Sequence, residues 1–380
     1  MATTVRIEVG EHGPVPALQD FFRKLLADES LSGIMVPVHL FGGGMPMPTL
    51  VTDPAQLDRA DPLAPAFPMS SAKLVSRLSK GSAGERFAVV MRPCEIRAFM
   101  ELVKLNQGFL EEVILIGMDC PGAYDNMHYR DFLGEREPMA ASAEFHKALA
   151  EGRKPASVEL AGACKVCEHP TPQGTDIVVG LFGGDISSGI QIMAASPRGE
   201  ALLGAMGLQA QEPDGKREAA VAALVGEREA ARDAMYADVQ ERTSTLEKLA
   251  QYLGSCVNCY NCRVACPVCY CKECVFNTDV FEHKPWQYLD WAKRKGSLKL
   301  PTDTVFYHLT RMAHMSTACV GCGQCSNACP NGVEVVELFR TVAARTQKSF
   351  DYQPGLSLDQ APPLTVFRED EYQDTVSHLA

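Results

Sequence analysis

The sequence predicts two unlike parts: an α/β layered domain, then a smaller helix-rich domain crowded with cysteine. Three observations predict this. Short apolar runs alternate with amphipathic helical segments over the first two hundred residues, the pattern of an α/β layer structure. Cys256, Cys259, Cys262 and Cys266, followed by Pro267, repeat in spacing as Cys319, Cys322, Cys325 and Cys329, followed by Pro330. Between the two parts, Lys216 to Leu253 is alanine-rich and charged, with apolar residues at helical steps.

In chain order, residues 16–27 carry apolar residues at helical spacing and stop at Gly33. Ile34 to Leu40 reads as a strand leading into Phe41-Gly42-Gly43-Gly44. Met45 to Pro68 is rich in proline and aspartate and reads as loop. Ser70 to Lys80 reads as a short helix with Ser70 or Ser71 as cap. Arg86 to Met91 and Val113 to Met118 are apolar runs typical of buried strands, with Glu95 to Lys104 as the helix between them. Gly134 to Gly162 is polar and reads as peripheral. Asp176 to Leu181 and Gly189 to Ala195 read as strands around Phe182-Gly183-Gly184-Asp185. The charges of Lys216 to Leu253 read as a solvated face. Asp279 to Lys295 and Thr304 to Met315 read as helices, and the tail from Ser349 as a segment lying on a partner or free. The expected organisation is 1–200, a helical linker over 201–254, the cysteine-rich domain over 255–348, and a tail over 349–380.

The spacing C-x2-C-x2-C-x3-C-P is that of a bacterial ferredoxin run. One tight loop supplies three thiolates to a cubane [4Fe-4S] cluster, and the fourth comes from elsewhere. In two-cluster ferredoxins it comes from the other run. The expected sets are therefore Cys256, Cys259, Cys262 with Cys329, and Cys319, Cys322, Cys325 with Cys266. Zinc sites present ligands in pairs, a spacing that fits less well.

The chain has 380 residues, 15 of them cysteine, and a net charge of −11. The charge argues against a nucleic-acid partner. No apolar run reaches the length of a membrane span, and the N-terminus lacks an export signal. A cytoplasmic location with cysteines devoted to metal clusters is the expectation.

Four further cysteines lie in the first part. Cys94 and Cys120 each follow a predicted strand, at the edge where open α/β sheets bind ligands. Cys164 and Cys167 form a C-x-x-C. Cys94 and Cys120 read equally well as buried small residues, which free cysteines often are. The order Pro93-Cys94-Glu95-Ile96-Arg97-Ala98, Ile116-Gly117-Met118-Asp119-Cys120, Cys164-Lys165-Val166-Cys167, Asp176-Ile177-Val178-Val179-Gly180 resembles the beta subunits of coenzyme F-420-reducing hydrogenase and of related formate dehydrogenases. The resemblance spans about residues 15 to 200. It implies an FAD-binding domain with its own [4Fe-4S] cluster, placed on Cys94, Cys120, Cys164 and Cys167. It also implies exchange of electrons with a soluble hydride carrier of the deazaflavin kind and with a hydrogenase, formate dehydrogenase or other redox subunit in a hetero-oligomer. The ferredoxin part is C-terminal and enlarged, and Ala72 stands where the family has an aromatic. Without a flavin, the chain would be an iron–sulfur adaptor between two redox subunits.

Gly43, Gly44, Gly183 and Gly184 could bring backbone N–H groups to an FAD pyrophosphate, or serve as plain tight turns. Ser70, Ser71 and Lys73 are candidates for phosphate or ribose contacts, or a cap and a surface lysine. Cys269, Cys271 and Cys274 are left over, and packing beside a cluster suits three thiols better than a further cluster. His283, His308 and His314 read as ordinary helix-surface residues.

Overall fold

A computed structural model of the chain describes residues 3–40, 44–81, 84–153, 155–208, 210–211, 215–277, 284–295 and 301–366. Its first part is built on one mixed sheet of eight strands. These are β1 (Thr4–Glu8), β2 (Gly33–His39), β3 (Pro46–Val51), β4 (Phe87–Met91), β5 (Val113–Met118), β6 (Ile177–Gly180), β7 (Gly189–Ala194) and β8 (Ala210–Gln211), in the spatial order β3-β2-β4-β5-β6-β7-β1-β8. Strands β2, β4, β5 and β6 run parallel, so their carboxyl ends share one edge. β3 returns antiparallel on β2, and β7 antiparallel on β6.

Strands β4 and β5 are buried throughout, as their unbroken apolar sequences require. Side chains alternate across a sheet. Ala88, Val90, Ile114 and Ile116 join one core with Leu18, Phe21 and Phe22 of the helix Pro14–Leu26. Val89, Met91 and Leu115 point the other way, into a core with Ile96 and Phe99 of the helix Pro93–Lys104. That second core continues into the cysteine-rich domain through Tyr307, Met315, Leu338 and Phe339. The two parts are thus packed on one another.

Several expectations change. Met45 to Pro68 contains β3, which tolerates Pro46 and Pro48 because it is the sheet's outermost strand. The polar stretch Gly134 to Gly162 holds the helix Pro138–Ala150, whose Phe145 packs with Tyr124, Tyr129 and Phe132 in a small core of its own. The sheet takes in β8, so the first part extends past residue 200. Lys216 to Leu253 is two helices, Lys216–Arg242 and Leu246–Tyr252, the second capped by Thr245, whose hydroxyl accepts from the Lys248 N–H at 3.2 Å. Asp279 to His283 lie outside the described residues, and a helix runs over Pro285–Lys295. A helix expected nowhere covers Val335–Ser349. The tail is held as far as Gly355: the Tyr352 hydroxyl and the Gly355 N–H both donate to Glu101 Oε1, at 2.6 and 2.7 Å. Arg97 Nε donates to the Pro354 carbonyl at 3.0 Å. No helix among the described residues is long and apolar enough to cross a membrane.

Candidate iron–sulfur centres

Cys94 is the second residue of the helix Pro93–Lys104, directly after β4, and Cys120 follows β5. β4 and β5 are neighbours, so both thiols start from the same sheet edge. The short helix Gly162–Lys165 carries Cys164, and the Cys167 N–H donates to the Cys164 carbonyl at 3.4 Å. A backbone bond from the Cys120 N–H to the Pro170 carbonyl, 2.8 Å, brings this segment against the end of β5. The four thiols line one cavity with about 420 Å³ of atom-free space. Cys322 of the second domain lines it too, as do Arg92 and Arg228.

Arg228 lies on the helix Lys216–Arg242 and is buried. Its guanidinium donates to the Pro121 carbonyl and, at 3.4 Å, to the Cys167 carbonyl. The expectation of a purely solvated charged face therefore fails on this side of the helix. A buried arginine beside four thiols favours their ionised form.

A second, small cavity is lined by Cys256, Cys259, Cys262 and Cys329, together with Tyr307 and His308. Cys329 comes from the other run and thus sits with the first three of its neighbour. The converse holds for Cys266. It acts electrostatically on Cys319, Cys322 and Cys325 alike, being the largest charged influence on Cys322. The helices Asn261–Ala265 and Gln324–Asn327 pack together and make the exchange possible. Cys329 thus shares a cavity with the first run's three cysteines, and Cys266 lies within electrostatic reach of the second run's three.

All fifteen cysteines are free thiols. Burial pushes up the thiols of Cys94, Cys120, Cys256, Cys319, Cys322 and Cys325, and that of Cys164 to about 12. Neighbouring thiolates add to the effect at Cys94, Cys164, Cys256 and Cys322. Four buried thiols around one space are poor company for one another as anions. They become good company around a cation, which deprotonates a coordinating thiol outright. Among the described residues no three His, Cys, Asp or Glu side chains close tightly enough for a single metal ion. A cubane cluster takes four thiolates, and each of these two cavities is lined by four cysteines.

Residues 253–333 match the 4Fe-4S dicluster domain family. The F420-dependent formate dehydrogenase subunit beta of Methanocaldococcus jannaschii is 27% identical, with 94% of this chain and 95% of that protein covered. The F420-dependent formate dehydrogenase 1 subunit beta of Methanococcus maripaludis is 28% identical over 73% of this chain and 75% of its own length. The chain is similar to these beta subunits over most of its length. A chain of the F420-reducing [NiFe] hydrogenase complex from Methanosarcina barkeri superposes with a TM-score of 0.44 at 10% identity, over 64% of this chain and 94% of that one, a likeness too loose to carry weight. The C-terminal part is a 4Fe-4S dicluster domain, and a redox role follows for the chain.

The residues expected to contact FAD do not converge. Gly43 lies outside the described residues. The loop ending at Gly44 joins β2 to antiparallel β3, so no helix N-terminus follows it to meet a phosphate. The Gly44 carbonyl instead faces His39 Nδ1 at 2.9 Å. Ser71 donates through its N–H and its hydroxyl to Glu95 Oε1, at 2.7 and 2.8 Å, and the Ser70 hydroxyl accepts from the Ala72 N–H at 3.4 Å. Both serines are buried and start the helix Ala72–Gly81. Lys73 reaches the Val264 carbonyl in the second domain, 3.1 Å away. Gly183 has φ +77° and lies so near the start of the helix Lys216–Arg242 that a Cβ would sit 2.3 Å from the Arg217 nitrogen. It is a close-approach glycine, beside the buried ion pair in which Arg217 Nε donates to Asp119 at 2.9 Å. Gly184 is exposed, with open space where a Cβ would stand. These contacts do not by themselves mark a flavin site.

Of the leftover cysteines, Cys271 is exposed, while Cys269 and Cys274 are half-buried against the core of the cluster domain. This agrees with packing. His283 lies outside the described residues and His314 is exposed, but His308 is buried, 1% exposed, against Cys256. Neither Tyr307 nor Arg311 stood out in the sequence. A helical step of four between Tyr307 and Arg311, inside a long insertion between two cluster runs, is the signal that could have found them.

Proposed function

We propose that this chain joins a soluble hydride carrier of the deazaflavin F420 kind to a partner redox subunit: a bound flavin would take the hydride's two electrons and release them singly, and three [4Fe-4S] clusters would carry them onward. The ligand sets are Cys94, Cys120, Cys164 and Cys167; Cys319, Cys322, Cys325 and Cys266; and Cys256, Cys259, Cys262 and Cys329. The observation that carries the proposal is that Cys322 lines the four-thiol cavity of the first domain while belonging to a ferredoxin run. The α/β domain and the dicluster domain therefore meet thiol to thiol, which is what an electron path between them needs. The carrier comes from the names of the two relatives, which describe F420-dependent formate dehydrogenases. A partner follows because a wire needs two ends. Arg92 and Arg228 hold the first-domain segments in place and offset the negative charge of a thiolate-bound cluster.

The second reading, an iron–sulfur adaptor without flavin, is favoured by the prior engagement of Ser70, Ser71, Lys73 and Gly183. A single measurement separates the two: iron, acid-labile sulfide and flavin in the anaerobically purified chain. About twelve irons with bound FAD supports the hydride-carrier subunit. About twelve irons without flavin, even after incubation with FAD, supports the adaptor. A chain that binds zinc in place of iron refutes both.

A further inference from the structure

The two cluster runs are separated by Pro267 to Ala318, which is 52 residues and longer than a minimal two-cluster domain needs. The helix Pro301–Met315 lies in this insertion and turns three buried polar side chains toward thiols. Tyr307, 1% exposed, has its hydroxyl 3.3 Å from Cys262 Sγ. His308, also 1% exposed, has Nε2 3.4 Å from Cys256 Sγ. Both side chains line the cavity of Cys256, Cys259, Cys262 and Cys329. Arg311, 4% exposed, donates to the Cys262 carbonyl at 3.2 Å. Its Nε and Nη1 have no hydrogen-bond partner among the described residues. Cys262, Cys266 and Cys325 are the thiols that act on it most strongly, so its charge lies between the two dicluster sites.

A buried guanidinium with two donor nitrogens unspent is costly unless something accepts from them. Thiolate and sulfide sulfurs at these sites would do so. A [4Fe-4S] cluster gains one negative charge on reduction. Donors aimed at its sulfurs and a fixed positive charge nearby both favour the reduced form. Hydrogen bonds to the sulfurs are among the terms that set such potentials. We propose that Tyr307, His308 and Arg311 are positioning residues that raise the reduction potential of the cluster held by Cys256, Cys259, Cys262 and Cys329. The insertion between the runs is then the device that brings them there. This rests on the cluster assignments proposed above.

The test is a potentiometric titration of the anaerobically purified full chain, followed by electron paramagnetic resonance, with iron content measured on each sample. Tyr307→Phe deletes one oxygen and keeps the ring, and His308→Leu deletes the ring N–H. Each is expected to move one midpoint to more negative potential at unchanged iron content, and the double variant to move it farther. Arg311→Met should lower the midpoints of both dicluster sites, with Arg311→Lys recovering part of the shift. The first-domain midpoint should stay in place throughout. Full iron with unmoved midpoints in Tyr307→Phe and His308→Leu overturns the tuning role. A variant that loses iron shows that side chain to be structural, and overturns its tuning role. A wild-type chain without cluster signals overturns the cluster assignments themselves, a different failure from the first.

Discussion

Exchange of the fourth ligand between the two runs makes a prediction that counts irons. Cys329 lines the cavity of Cys256, Cys259 and Cys262, although 66 residues separate it from Cys262 in the sequence. Its sulfur accepts from the Val333 N–H at 3.3 Å, which fixes the side chain toward that cavity. Serine in place of either Cys256 or Cys329 removes one corner of the same cluster. Each single variant should lose about four irons of about twelve. The double variant Cys256→Ser/Cys329→Ser should lose about four as well, because the second change strikes a cluster already gone. If each run instead held its own four ligands, the double variant would lose about eight. The control is Cys256→Ser/Cys266→Ser, which under the exchanged arrangement breaks two clusters and should lose about eight. Iron and sulfide assays on anaerobically purified protein read these numbers directly. Additive loss in the first pair, with non-additive loss in the control, would refute the exchange.

Cys94→Ser should remove about four irons while leaving the dicluster signals in place; unchanged iron would sink the first-domain centre. Gly183→Ala places a side chain on a backbone with φ +77° and against the Arg217 nitrogen, so the chain should lose about 2 kcal/mol or more of stability in urea unfolding. His146 is buried, which pushes its pKa from an ordinary 6.5 down to about 4, and its Nε2 lies 3.0 Å from the Leu63 carbonyl. Between those values the unfolded chain binds a proton that the folded chain refuses, so stability falls as pH falls and is level above pH 6.5. Relative to His146→Gln, the wild type should lose about 1.4 kcal/mol per pH unit through that window, about 3 kcal/mol in all. A pH-independent difference between the two would show that the ring is not held neutral.

What could be read from the sequence was what local chemistry dictates. Strands β4 and β5 are apolar from end to end because both faces are covered, a signature that no other strand among the described residues has at that length. The cluster runs were legible because a cubane's corners fix the spacing of the cysteines. Long-range placement was not legible. Pro46 and Pro48 argue against a strand until it is known that β3 has a neighbour on one side alone. The three glycines before Met45 read as a phosphate loop or a plain tight turn alike, and the chain beyond them returns as the antiparallel strand β3. Arg228 looks like any charge on a helix of mean amphipathicity, and only the fold shows that its turn faces Pro121 and Cys167. His308 was misread for the same reason: a histidine on a polar helix is ordinarily wet, and this one is covered by the cluster runs it stands between.

The proposed order of the centres follows from which thiols share walls. The first-domain cavity is bounded by Cys322, and Cys322 is among the charges acting on Cys94. Cys266 and Cys325 share Arg311 with Cys262, which belongs to the remaining set. On this proposal the set of Cys319, Cys322, Cys325 and Cys266 is the middle station, between the first-domain set and the set of Cys256. At the far end Cys259 is exposed, so that centre lies nearest to solvent. Electron transfer falls off steeply with distance, and a relay of this kind works only if its two halves cannot drift apart. The interface is built accordingly. Gln324 and Asn327, within the second run, both donate to the Phe67 carbonyl, at 2.8 and 2.9 Å. Asn327 also accepts from the Asn126 N–H at 2.9 Å, and Arg340 holds the Val166 carbonyl one residue from Cys167. These contacts tie the second cluster run and the helix after it to Phe67, to Asn126 just beyond Cys120, and to Val166 beside Cys167. On this reading, loosening them would slow electron transfer between the domains while leaving every cluster in place.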